Sequence, residues 1–256
     1  MFWHVAFVFP FQTDQMNPVI WSLLYEMRIS LLFPLVMYAF GRVSTLTVVA
    51  SAAVASAVVC GYAVSIDHPV IQASVTGEWL PTVHYMLMFV VGAALAKHRA
   101  QIQRFVSGGP RAFQLGAALT IGSALLYVGS RPVSMIASGV LSDYVFDWIA
   151  LIAVAGIISA ALSFMPLIRV LQSRPVLFLG RISFSLYLYH AIVLFSVVHL
   201  MDGRETMNQA LVMAECLIVP VSYLAYRLVE RPGMRVGGML AKRMAARQEQ
   251  RKLRAS

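Results

Sequence analysis

The chain has 256 residues, 59% hydrophobic and only 12% charged, with a formal net charge of +9. A mean hydropathy of +0.75 excludes an ordinary soluble domain, in which about a quarter of residues are charged. Cys60 and Cys216 both lie in apolar runs, which excludes a disulfide framework and predicts two packing residues.

Residues 1–18 open Met1-Phe-Trp-His, without the positive region and cleavage site of a secretory signal, and the apolar stretch Phe2–Phe11 is too short to span a bilayer. Beyond it, apolar runs predict spans at Val19–Phe40, Val43–Ile66, Leu80–Ala96, Ala112–Val128, Val145–Met165, Val176–Leu200 and Gln209–Val229. A segment in lipid has to satisfy its own backbone N–H and C=O groups, so each run is read as a helix. The predicted fold is all-α, a polytopic transmembrane bundle of about seven spans. It divides into an extracytoplasmic segment 1–18, a bundle 19–230 and a basic tail 231–256.

The connections sort by charge. Lys97, Arg99, Arg104 and Arg111 share one, Arg169 and Arg174 another, and Arg231, Arg235, Lys242, Arg243, Arg247, Arg251, Lys252 and Arg254 occupy the tail. The alternate connections hold Asp14, Asp67, Glu78, Asp143, Asp202 and Glu205, with Arg131 and Arg204 as their bases. The positive-inside rule puts the basic connections and the C-terminus in the cytoplasm and the N-terminus outside, as an odd number of spans requires. The net charge follows from this bias and is not read as nucleic-acid binding. The tail is expected either to be solvated or to lie on anionic membrane lipid.

Ionisable groups inside spans are costly and face a cavity or a partner. The first span reads Asn17-Pro-Val-Ile-Trp21-Ser22-Leu-Leu-Tyr25-Glu26-Met-Arg28-Ile-Ser30. At 100° per residue Ser22, Glu26 and Ser30 form one stripe and Trp21, Tyr25 and Arg28 another, so Glu26 and Arg28 each require a partner elsewhere or a cavity. In the sixth span Ser183, Tyr187 and His190 share a face, with His190 roughly 14 Å from Arg181. Its imidazole is read either as a hydrogen-bonded structural group or as a proton carrier. Glu215 is an isolated charge in the last span, and Pro232 marks the expected end of that helix. His4, His68, His84, His98 and His199 lie near span ends or in connections, and no spacing among them forms a metal site.

Three motifs resemble one family. The run Trp21-Ser22-Leu-Leu-Tyr25-Glu26 resembles the Trp-Ser-Leu-x-x-Glu helix of the acyltransferase family 3 membrane proteins. Leu179-Gly-Arg-Ile-Ser183-Phe-Ser185-Leu-Tyr187-Leu-Tyr189-His190 resembles their Leu-Gly-x-Ile-Ser-Tyr-Ser-x-Tyr-Leu-x-His helix, and Glu230-Arg231-Pro232 their closing Glu-[Lys/Arg]-Pro. The resemblance implies transfer of an acyl group from cytoplasmic acyl-CoA, a donor substrate and not a bound cofactor, to a hydroxyl of a carbohydrate or lipid-linked acceptor. It also implies Glu26 and His190 as catalytic candidates, with Trp21, Ser22, Arg28, Ser183 and Tyr187 binding substrate.

The family's own catalytic histidine belongs to helices that precede the one beginning near Val19. That role is transferred neither to His4 nor to His190, and the expectation is a C-terminal portion of such an enzyme, from a truncation or a misplaced start. A polytopic transporter or polysaccharide-export subunit is the alternative, but it predicts related halves with matching broken helices, which are not visible here. An inactive fragment is the other.

Overall fold

A computed structural model of the chain describes residues 19–69, 78–201, 207–239 and 241–243. The segment 1–18, with His4 and Asp14, and the far tail, with Arg247 to Arg254, lie outside the described residues, as do Asp202, Arg204 and Glu205. Among the described residues the structure is helical, without strands, and seven helices are long and apolar enough to cross a membrane. Each span buries only 11–28% of its most apolar window. Leu31, Leu46, Val128, Phe195 and Leu200 point outward, while Ser56, Thr82, His84, Ser123, Ser130 and Ser185 are buried. A polar interior under an apolar exterior is stable when the surrounding solvent is lipid. The chain is a multi-pass membrane protein.

The chain forms two compact units, Met1–Ser173 and Arg174–Ser256. The first contains α1 (Ile20–Arg42), α2 (Thr45–Ser65), α3 (Leu80–Lys97), α4 (Arg99–Ser107), α5 (Ala112–Ser134), α6 (Val140–Ala161) and α7 (Met165–Leu171). Ser44 starts α2 by accepting the Thr47 N–H at 3.1 Å, so only a two-residue break separates α1 from α2. Pro81 opens α3, where its missing N–H costs nothing. Leu24, Tyr25 and Ile29 of α1 pack on Tyr85, Met86 and Phe89 of α3. Val59, Cys60 and Ala63 of α2 meet Val140 and Tyr144 of α6.

α5 and α6 form a tight hairpin. A Cβ at Gly156 would collide with Ser123 Oγ, so the absent side chain sets their spacing. Gly139 takes φ +59 at the start of α6, a conformation that side chains disfavour.

α5 extends past the expected end at Val128 to Ser134, through Pro132. The polar string Gly129-Ser-Arg131-Pro reads as a connection, yet Ser130 and Ser134 return their hydroxyls to the Tyr127 and Arg131 carbonyls. Arg131 lies over the Phe146 ring at 4.2 Å and 3.6 Å from Asp143, fastening this extra turn to α6.

The second unit pairs α8 (Arg174–Met201) with α9 (Met207–Ala225). Small residues, Ala210 and Ala214 against Val193 and Val197, bring the two backbones together. The helix does not stop at Pro232. A π turn, Tyr226–Glu230, follows α9, with Arg231 N–H donating to Tyr226 O, and residues 231–239 remain helical. A proline ring clashes with the carbonyl four residues earlier, here Leu228, and the wider π turn accommodates it. Of the two free cysteines Cys60 is buried and Cys216 exposed, so the packing role holds for Cys60 alone.

Candidate functional site

Trp21, Ser22, Tyr25 and Glu26 of α1 line a cavity of about 190 Å³ with Tyr85, Met88 and Phe89 of α3. Glu26 stands two turns into α1, about 9 Å below Ile20. Its side chain is exposed and has no hydrogen bond or ion pair among the described residues. Three aromatic rings wall the space, with Tyr25 and Tyr85 5.7 Å apart and Trp21 6.4 Å from each. A carboxylate set among rings suits a ligand with apolar CH faces and hydroxyl edges. Ser30, placed with Ser22 and Glu26 by the helical wheel, is not part of this wall.

Arg28 turns away from Glu26, as the same wheel requires. It is buried, donates from Nη1 to Glu78 O at 3.0 Å and stacks over Trp79 at 4.4 Å. Glu78 Oε1 is 3.0 Å from His68 Nε2. Arg28 thus fastens α1 to the segment leading into α3, and the geometry gives it a bracing position rather than a place in the cavity.

The second unit holds the other motif residues. His190 Nδ1 lies 2.6 Å from Tyr187 O. A carbonyl only accepts, so Nδ1 carries the hydrogen and Nε2 keeps a lone pair able to take a proton. The Tyr187 ring lies 5.8 Å from that imidazole. Ser183 is exposed and returns its hydroxyl to Gly180 O at 3.0 Å, so it does not join them. Ser185, which the sequence reading passes over as a site residue, is buried and donates to Glu230 Oε2 at 2.6 Å. Two of the resembled motifs therefore meet within this unit. Glu215, expected to need a partner, is exposed on α9 and has none among the described residues.

Comparison with known families finds that the model of acyltransferase family 3, described as an acyltransferase domain, matches residues 1–227. The chain belongs to this family. No curated protein and no solved structure matches it. The protein is a membrane acyltransferase by its family, and the match spans both Glu26 and His190.

The acyltransferase also contains a polar network that the sequence reading missed. His84 lies near the start of its span, as expected, but it is 1% exposed and bonded to two other helices. Its Nδ1 is 2.8 Å from Ser56 Oγ on α2 and its Nε2 is 3.2 Å from Asp147 Oδ2 on α6. Trp148 Nε1–H donates to Ser56 Oγ at 2.9 Å. The available signal was Asp147, a carboxylate within an apolar run, where a partner is required.

Proposed function

We propose that this acyltransferase moves an acyl group from acyl-CoA to a hydroxyl of a carbohydrate or lipid-linked acceptor, with Glu26 as the base that receives the hydroxyl proton. The observation that carries this reading is the Glu26 carboxylate in a cavity walled by Trp21, Tyr25 and Tyr85. Sugar rings present CH faces to aromatic rings and hydroxyls to an acceptor such as the Glu26 carboxylate. The acceptor oxygen forms a bond to the thioester carbonyl carbon and the C–S bond breaks. The proton held by Glu26 then passes to the departing thiolate.

Charge supports a sidedness. The cavity lies toward the end of the first unit where α1 and α3 begin, near Asp67 and Glu78, whereas Arg42, Lys97, Arg99 and Arg111 mark the other end. With the basic end cytoplasmic, the cavity opens to the outer half of the inner membrane, and the thioester arm of cytoplasmic acyl-CoA has to reach Glu26, and its thiol to withdraw, through the protein from the basic end. His190 enters the proposal through its motif and its proton-accepting Nε2, as a second proton carrier whose role is tested by substitution. Tyr187 orients it.

The test is acyl transfer by the purified protein in lipid nanodiscs, with labelled acetyl-CoA and a panel of carbohydrate and lipid-linked hydroxyl acceptors. Glu26→Gln, which keeps shape and loses basicity, is expected to lower kcat by about 10²- to 10⁴-fold. Unchanged kcat in Glu26→Gln and Glu26→Ala removes Glu26 from the chemistry, and unchanged kcat in His190→Gln removes His190.

A further inference from the structure

The network on α2, α3 and α6 runs in one direction when the His84 ring is neutral. With Asp147 as the carboxylate, His84 Nε2–H donates to it, leaving Nδ1 of the neutral ring as acceptor. Ser56 O–H then donates to Nδ1, while its oxygen accepts from Trp148 Nε1–H. Each group meets one partner per role, an arrangement in which hydrogen bonds in a low-dielectric interior reinforce one another. The His84 ring is further held edge-on by Tyr144 at 4.6 Å and Tyr85 at 5.1 Å.

Serine, histidine and aspartate in series resemble a nucleophilic relay, but the surroundings argue otherwise. Ser56 is 0% exposed, so no acyl donor reaches its oxygen. The chain of bonds runs from Trp148 to Asp147, whose side chain is 18% exposed. What it does reach is the neighbour of His84: Tyr85, the cavity wall that stands opposite Glu26.

We infer that His84 is a positioning residue for the Glu26 cavity, fixing α3 so that the Tyr85 ring closes against Trp21 and Tyr25. Adjacent helix positions differ by 100°, so pinning one side chain to α2 and α6 sets the azimuth of the next. The lipid-facing apolar surface of α3 provides no such register, because hydrocarbon tails contact any apolar face equally well. Bonds from one imidazole to two other helices do provide it.

The experiment uses the full chain in nanodiscs, with a reporter thiol at Ser22→Cys on the cavity wall. Cys216 is replaced by alanine and the buried Cys60 is left in place. The rate of reaction with a small water-soluble maleimide reads the opening of the cavity without any assay of catalysis. His84→Phe, which keeps a ring and removes both hydrogen bonds, is expected to change that rate about tenfold, and His84→Asn, which restores the bond to Ser56, to recover part of it. In a Tyr85→Ala background His84→Phe is expected to add nothing. An unchanged rate in folded His84→Phe, or a change that persists undiminished without Tyr85, overturns the inference. If His84→Phe fails to insert, Ser56→Ala supplies the comparison by removing the hydroxyl that bonds His84 and Trp148, with almost no change in volume.

The inference about cavity geometry stands apart from the reading of the cavity as the acceptor site, and acyl transfer separates the two. If both hold, His84→Phe raises the acceptor KM about tenfold with kcat nearly unchanged. A tenfold change in labelling with both constants unmoved keeps the positioning role and overturns the acceptor-site reading.

Discussion

Ser185 Oγ and Glu230 Oε2 lie 2.6 Å apart, tying the middle of α8 to the π turn that follows α9. The bond is charge-assisted and buried at the serine, where such bonds contribute about 1.5–3 kcal/mol. Ser185→Ala and Glu230→Gln are each expected to lower the stability of the second unit within that range. Limited proteolysis of the α8–α9 hairpin in nanodiscs measures it, and protection undiminished from that of the unsubstituted protein in both variants would show that the bond contributes nothing.

Glu230 lies in the π turn that precedes Pro232. Pro232→Ala removes the clash with Leu228 O, so the π turn is expected to tighten to an α turn and swing Glu230 by about 100°. The loss of protection should then equal that of Ser185→Ala, with no further loss in the double variant. Additive losses would mean that the π turn has another cause.

Gly156 sets the spacing of α5 and α6. Gly156→Ala drives a methyl into Ser123 Oγ and is expected to cost about 1–3 kcal/mol, the range for overpacking. Gly156→Ala with Ser123→Gly is expected to recover most of the loss. Thermal unfolding in detergent, followed by exposure of the buried Cys60 thiol, provides the measurement.

Arg28 is a brace. Arg28→Met removes the bond to Glu78 O and the stack on Trp79, with an expected loss of about 2–4 kcal/mol. Arg28→Lys keeps the charge without the planar stack and should fall between. The emission of Trp79, monitored with the other tryptophans replaced, should shift to the red in both.

Orientation is checked within the first unit. A cysteine replacing Gln103 is expected to react only with reagent on the cytoplasmic face, and one replacing Asp67 only with reagent outside. Reaction of both from one face would reverse or abolish the sidedness proposed for the Glu26 cavity.

The spans were legible because lipid imposes a local rule: about twenty apolar residues, each satisfying its own backbone. Glu26 and Arg28 were legible for the same reason, since a charge in such a run is conspicuous, and the helical wheel separated them correctly. His84 was not. It lies 28 residues from Ser56 and 63 from Asp147, and only the packing of α2, α3 and α6 brings them together. Ser185 was hidden because the wheel of α8 alone favours the Ser183 face, whereas its partner Glu230 lies in a π turn just before Pro232, which reads in sequence as a terminator. The extra turn of α5 was hidden because serines whose hydroxyls donate to carbonyls three residues earlier look like connection residues in composition.

Lys97 separates two jobs usually credited to a basic residue at the end of a span. Its Nζ donates to Phe40 O at 2.9 Å and stands 5.3 Å from the Phe40 ring, closing the last turn of α1. The charge still resists translocation, because an electric field acts on it whatever it is bonded to. A donor already engaged by a carbonyl is less available to a passing headgroup. A tally of cations therefore predicts which way this polypeptide threads better than how firmly its inner rim grips anionic phospholipid.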